Sequence, residues 1–329
     1  MKVRGFALAI VAVAATLFPI APTANAASQL SIGVAYDTGG PGDHSFDDAV
    51  AKGIATAKTR YTFQVTATVT VGSDSDRELR LRSLVAKGCD PVIAVGGDYA
   101  PSVRKVALNF PSTQFVIVND ASINMLNVTS LVFSENQGGY LAGVTAALVT
   151  KTRKIGLIGL SSSDAGYENG FTAGAHDVKK DITVDARYGS DSSVDLAKAL
   201  IASGSDVIFM TRVGAVSDVL KAVVNANKGG SKVGLILIEP DQYVTLSAGA
   251  KKFILASLVD RVDRAITDVI SESSKGRTVI DVLDASAGIY GRRYGIGSGG
   301  IELSLWSPLV AKYQKVINIA AIKASKLSM

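Results

Sequence analysis

The chain has 329 residues, 47% of them hydrophobic, with 34 Lys and Arg against 29 Asp and Glu and a formal charge of +5. The basic residues are scattered rather than clustered, which argues against nucleic-acid binding, and 1 cysteine with 2 histidines argues against a disulfide scaffold, a zinc site or a histidine-based triad. Length and apolar content suit two packed domains.

The chain opens on "MKVRGFALAIVAVAATLFPIAPTANAAS", with Lys2 and Arg4 before the apolar run Gly5 to Ile20 and a small-residue site at Ala24, Asn25 and Ala26. This pattern predicts a signal peptide over 1–26 and a mature chain beginning near Ala27, exported to a periplasmic or cell-surface location. Pro19, Pro22 and the cleavage pattern weigh against an uncleaved anchor, and no cysteine stands at the cut to carry a lipid. Without Lys2 and Arg4 the 34 basic residues become 32 against 29 acidic ones, so the mature charge is about +3. Cys89, the lone cysteine, is expected to sit inert near a strand.

Short β-branched runs then alternate with amphipathic stretches, the pattern of βαβ units around a parallel sheet. Strands are predicted at 30–36, 65–71, 91–96, 114–119 and 129–133, and again at 154–160, 183–188, 206–211, 233–238 and 253–258. Helices are predicted near 45–59, 76–87, 99–109, 137–150, 166–179, 193–203, 214–227 and 257–274. The two series resemble each other: Leu84 aligns with Leu200, Gly88 with Gly204, Asp90 with Asp206, Phe46 with Tyr167 and Gly53 with Gly174. Two similar α/β lobes follow, although chance similarity between βαβ units would look the same.

Open parallel sheets bind ligands beyond the carboxyl ends of their strands. The loop "YDTGGPGDHSF", Tyr36 to Phe46, occupies that end of the first strand and faces a cleft on this reading, and the Asp164 to Tyr167 turn faces it from the second lobe. Phe46 and Tyr167 are then placed to contact a flat ligand, or else to pack under their own helices. Asp37, Asp43, Asp47 and Asp48 could hold a metal or act as acid and base, but a helix cap with solvated charge is the simpler description. "GGPGD" and "GIGSGG" match neither a phosphate-binding nor a dinucleotide-binding glycine pattern, and "GSDSD" lacks the spacing of a calcium loop. No cofactor, metal or catalytic group is therefore expected. A secreted hydrolase built on a carboxylate pair, acting on nucleosides or sugars, is the enzymatic alternative.

The segments "VAYDTGGPGDHSFDDAVAKGI", "GYLAGVTAAL", "GFTAGA", "DVIF", "EPDQY" and "SLVDRVDRAI" stand in an order that resembles the basic membrane protein family of ABC-transporter substrate-binding proteins, whose characterised members bind purine or other nucleosides. The resemblance covers nearly the whole mature chain. It implies a type I periplasmic-binding-protein fold, two Rossmann-like lobes with mostly parallel sheets joined by a three-stranded hinge. Lobe 1 would comprise 27–131 plus 257–288 and lobe 2 would comprise 132–256 plus 289–329, with crossings near 131, 256 and 288. It further implies a monomer that closes on a nucleoside-like ligand and passes it to an ABC permease and its ATPase; a sensor uncoupled from transport is the variant reading.

Carried over by position, the resemblance proposes Asp37 as a hydrogen-bond acceptor and Phe46 as a stacking ring, with Asp47 beside them. It adds Asn119 or Asp120 at the fourth strand end and Tyr167 and Phe209 on the far lobe. Departures fall at Arg212, in a turn that is glycine-rich in the family, at Glu239 in place of an aspartate, at Asp260 in place of a lysine, and at Gln137 in place of an acid. A lysine-to-aspartate exchange changes what a buried pocket prefers to hold. Arg212 reaching across to Asp260 would restore the charge; alternatively, Arg212 faces solvent and Asp260 caps the helix that follows Ser257.

Overall fold

The computed structural model describes residues 29–42, 46–159, 165–189, 192–211, 216–238, 243–244, 246–278 and 281–327. The first sheet contains β1 (Ser31–Tyr36), β2 (Gln64–Val69), β3 (Val92–Val95), β4 (Phe115–Val118) and β5 (Val128–Phe133), with β11 (Val282–Asp284) and β12 (Ile289–Tyr294) at one edge. Its order is β11-β12-β5-β4-β3-β1-β2, parallel throughout except for the β11–β12 pair. The second sheet contains β6 (Lys154–Gly159), β7 (Thr183–Tyr188), β8 (Val207–Met210), β9 (Gly234–Ile238), β10 (Ile254–Asp260) and β13 (Ile301–Leu305), in the order β13-β10-β9-β8-β6-β7. Only β13 runs antiparallel there. Central strands such as β3, β4 and β8 are buried end to end, as strands covered on both faces must be.

The helices are α1 (Phe46–Lys58), α2 (Asp74–Ala86), α3 (Ala100–Asn109), α4 (Glu135–Val149), α5 (Ala165–Val178), α6 (Ser193–Ala202) and α7 (Val216–Lys228). They are followed by α8 (Ala248–Lys251), α9 (Val262–Ser273), α10 (Pro308–Ala311) and α11 (Gln314–Ala324). The two-lobed architecture and the ten strands read from the periodicity are present. The strands after residue 280 were not legible, because Ile289–Tyr294 interrupts its apolar residues with Gly291, Arg292 and Arg293 and carries no clean alternation.

The internal resemblance has a structural counterpart. Gly33 in β1 and Gly156 in β6 each lie under a leucine of the second helix after it, α2 and α6: a Cβ on Gly33 would come within 3.1 Å of the Leu84 Cβ, and one on Gly156 within 2.8 Å of the Leu200 Cδ1. Gly88 and Gly204, which end those turns, both have positive φ, 75° and 96°.

The lobes exchange helices. β5 of the first sheet leads into α4, which packs on α5 of the second lobe, and β10 of the second sheet leads into α9, which packs on α1 of the first. Sheet pairing persists to Phe133, Asp260 and Tyr294, so the crossings lie at 134, 261 and 295–300 rather than near 131, 256 and 288. The crossing segments are bonded together: the Ser134 N–H donates to the Tyr294 carbonyl at 2.9 Å and the Arg261 N–H to the Gly300 carbonyl at 2.8 Å. Residues 257–260 are strand, with the helix beginning at Val262, so Asp260 does not cap a helix that starts at Ser257. Cys89 is buried beside β1 and accepts a hydrogen bond from Ser31 Oγ at 3.7 Å.

Helices α4 and α5 meet through Gly139, Gly143, Gly170 and Gly174, with no room for a side chain between them. A Cβ on Gly143 would sit 2.0 Å from the Phe171 carbonyl oxygen, and one on Gly174 would sit 2.1 Å from that of Tyr140. Backbone cannot yield as a side-chain tip does, so Gly143→Ala is expected to cost about 3 kcal/mol, read as a lowered urea midpoint at unchanged slope.

Candidate functional site

The carboxyl ends of β1, β3, β4 and β5 lie side by side, and each delivers a polar residue to the same margin of the first lobe. Asp37 follows β1, and one of its oxygens is held by Arg77 Nη2 at 3.3 Å. The same nitrogen reaches Asp98 after β3, also at 3.3 Å, while Arg77 Nη1 donates to the Gly72 carbonyl at 2.8 Å. Arg77 is 6% exposed, and its guanidinium lies 5.6 Å from the centroid of the buried Tyr99 ring, whose hydroxyl donates to the Tyr36 carbonyl at 2.8 Å. A buried guanidinium thus sets the orientation of a half-buried carboxylate from beneath. Neither Arg77 nor Asp98 was singled out in the sequence, since an arginine within a charged helix carries no signal of where its head group ends.

Phe46 begins α1, half-buried against the core of its lobe. Asp47, expected to touch ligand, is instead 2% exposed and accepts the Asp37 backbone N–H at 3.3 Å. Asp48 accepts the Gly42 N–H at 2.7 Å. These two carboxylates fold the loop back onto its helix, which is the capping role. Asn119 is exposed in the left-handed region, φ 64°, with its N–H donated to the Leu131 carbonyl at 2.8 Å. Asp120 uses one oxygen to bind Ser122 N–H and Oγ at 2.9 and 2.8 Å, closing its own turn.

In the second lobe Tyr167 and Phe209 do come together, with ring centroids 5.9 Å apart and nearly perpendicular planes. Phe209 also packs on Phe171 at 5.4 Å and is fully buried, so it supports Tyr167 from within the lobe and offers no surface to a ligand in this arrangement. Arg212 and Glu239 lie outside the described residues, and with them the expected Arg212 to Asp260 contact.

Asp260 ends β10 at the second crossing. It is 7% exposed, and its Oδ1 is buried without a hydrogen-bond partner. Burial, followed by the nearby charge of Glu135, pushes its carboxyl up to about 7. Glu135 opens α4 and lies against the start of α5, where a Cβ on Gly166 would come within 2.6 Å of its Oε2. Gln137, two residues on, bridges the third crossing and the chain end: its Oε1 accepts the Ile296 N–H at 2.9 Å and its Nε2 donates to the Leu327 carbonyl at 3.2 Å.

Among the described residues, no three metal-ligating side chains gather at one point. A groove of about 1470 Å³ opens elsewhere, at the amino ends of β8 and β9, between Leu148, Val207, Leu220, Val233 and Phe253. Its floor is apolar and it contains none of the strand-end carboxylates, so the strand-end margin, not the larger groove, is the candidate site.

The family model described as "ABC transporter substrate-binding protein PnrA-like" matches residues 31–326. The chain belongs to this Bmp family. It is 29% identical over 305 residues to the ABC transporter nucleoside-binding protein BmpA of Lactococcus lactis, covering 84% of this chain and 82% of that one. It is 28% identical over 271 residues to a CD4+ T-cell-stimulating antigen of Listeria monocytogenes, covering 75% and 74%. In fold it is similar to a transcriptional activator of the comK gene from Bacillus halodurans, with a TM-score of 0.71, 21% identity and coverage of 91% of this chain and 99% of that one. A solute-binding protein of an ABC transporter system from Aeropyrum pernix superposes with a TM-score of 0.67 at 22% identity, covering 91% and 82%. Bmp-family membership thus identifies a substrate-binding protein. No helix among the described residues is long and apolar enough to cross a membrane.

Two measurements probe the site. Arg77→Met leaves Asp37 and Asp98 without their shared cation and the Gly72 carbonyl without its donor, and is expected to cost about 2 kcal/mol in urea unfolding. Asp260 gives a pH signature. Folded Asp260 keeps its proton up to about pH 7, while the unfolded chain releases it near 3.8, so the folded state binds more protons in between and stability falls as pH rises through that window. Asp260→Asn is expected to remove up to about 4 kcal/mol of that decline, measured by unfolding at the two ends of the window.

Proposed function

We propose that the protein is the solute-binding component of an ABC importer and that it captures a nucleoside between its lobes for delivery to a permease and its ATPase. The observation that carries this reading is Asp37: a carboxylate at the end of β1, held from below by Arg77 and through its backbone by Asp47, the residue that follows Phe46 at the start of α1. An acceptor fixed in this way suits ligand hydroxyl or ring N–H groups, and an aromatic ring beside it suits a flat base. Membership of the Bmp family and a relative named as nucleoside-binding support the ligand class. The leader-like segment at 1–26 supports export.

A second reading, a ligand-sensing receptor uncoupled from transport, draws on the likeness to a transcriptional activator and on a relative named transcriptional activator protein med from Bacillus subtilis, 27% identical over 265 residues. Loss of nucleoside uptake on deletion of the gene supports the importer; unchanged uptake with altered transcription supports the sensor. In either case the ligand is bound and released unchanged. Isothermal titration of the mature protein with adenosine, guanosine, inosine, cytidine and uridine is expected to show binding, with a matching rise in melting temperature. Phe46→Ala and Asp37→Ala are each expected to weaken it by about 1–3 kcal/mol, and equal affinity in both variants would exclude the nucleoside site.

A further inference from the structure

The end of β10 holds a carboxylate whose Oδ1 meets no hydrogen-bond donor. Asp260 is almost fully buried, and the charge that acts on it is that of a second carboxylate, Glu135. Burying a carboxylate without a partner is costly, and a like charge nearby adds to the cost; holding a proton is one way to meet it, and accepting a cation is the other. The approach is built in. Gly138, one turn into α4, packs directly on β10: a Cβ there would fall 2.6 Å from the Leu258 Cδ2. Helix α4 is thereby pressed against the strand that ends in Asp260, and Glu135 is carried to the same place.

Three described arginines are paired with other carboxylates. Arg261, next in sequence, pairs with Asp263 at 2.8 Å and Glu302 at 3.1 Å. Arg77 serves Asp37, Asp74 and Asp98. Arg292 reaches Asp281 and Asp268. Glu135 lies against the first turn of α5, where a Cβ on Gly166 would come within 2.6 Å of its Oε2. The other strand ends present Asp37, Asp98 and Asp120, which repel an anion from the same margin.

We infer that Asp260, backed by Glu135, forms a cation-accepting subsite at the hinge, and that the ligand held between the lobes presents a protonated amine or another positively charged group to it. The inference rests on the reading of the cleft as a nucleoside site but adds a charge requirement to it. A bound cation supplies the missing partner of Asp260 Oδ1 and offsets the repulsion from Glu135. Because both residues stand at crossings between the lobes, it does so at the position where closure is decided.

The test uses the mature protein and isothermal titration with adenosine as the neutral parent, 5′-amino-5′-deoxyadenosine and 1-methyladenosine as cations, and adenosine 5′-monophosphate as the anion. At neutral pH at least one of the two cations is expected to bind tenfold or more tighter than adenosine, and the monophosphate is expected to bind weaker. Asp260→Asn is expected to abolish the preference for the cations over adenosine, and Glu135→Gln to reduce it. Equal affinity for all three non-phosphorylated ligands, or a preference that survives in Asp260→Asn, overturns the inference. A second arm applies if no nucleoside binds: putrescine, agmatine and choline are screened by thermal shift. A cation that raises the melting temperature of the parent but not of Asp260→Asn retains the subsite and discards the nucleoside reading; no shift with any of them overturns both. Asp260→Asn must also melt above the ligand-free parent, since a lower melting temperature means that the chain already neutralises Asp260 from within.

Discussion

Each lobe depends on accepting a helix from the strand of the other. The α4 helix leaves the first sheet and is locked into the second lobe by bare backbone contact with α5, and α9 makes the return journey onto α1. The same residue type performs this in both lobes. Gly174 admits the Tyr140 carbonyl, and Gly53 admits the Asp263 carbonyl, where a Cβ would lie 2.5 Å from the oxygen. Helices this close lose van der Waals contact with any displacement, so each exchanged helix is fixed to the lobe that receives it.

The electrostatics follow from that geometry. Because both exchanged helices start at the hinge, whatever residue begins each of them is carried to the lobe boundary. That is how Glu135 and Asp260 meet. The first lobe solves a similar problem differently, by raising Arg77 from α2 beneath Asp37 and Asp98 so that its carboxylates are held by a cation of the chain's own. The two sides of the boundary therefore differ: Asp37 and Asp98 share a cation of the chain's own, whereas Asp260 Oδ1 has no hydrogen-bond partner and burial holds its carboxyl well above the usual range.

The acidic loop after β1 shows how position changes the role of a residue type. Four aspartates crowd the sequence there; Asp43 lies outside the described residues, Asp47 and Asp48 tie the loop to α1, and Asp37 stays half-buried beside Arg77. Tyr167 and Phe209 show the same division on the far lobe, with Phe209 enclosed between Tyr167 and Phe171 and serving as support.

Local chemistry determined a large part of this protein. β-branched runs set the strands, since a strand covered on both faces must be apolar throughout, and the matched Gly53 and Gly174 fall where helices of the two lobes approach closely. The loop that carries Asp37 was legible as the carboxyl end of the first strand, where such sheets place their polar loops. Tertiary structure alone decided the rest. Which sheet Ile289–Tyr294 joins depends on pairing with β5, a contact with no local signature, and this moved the third crossing beyond Tyr294. Arg77 became part of the site only when α2 packed against the end of β1, and Glu135 became the neighbour of Asp260 only when α4 crossed to the second lobe. Charges act through space at short range, so their partners are set by the folded path of the chain and not by its order.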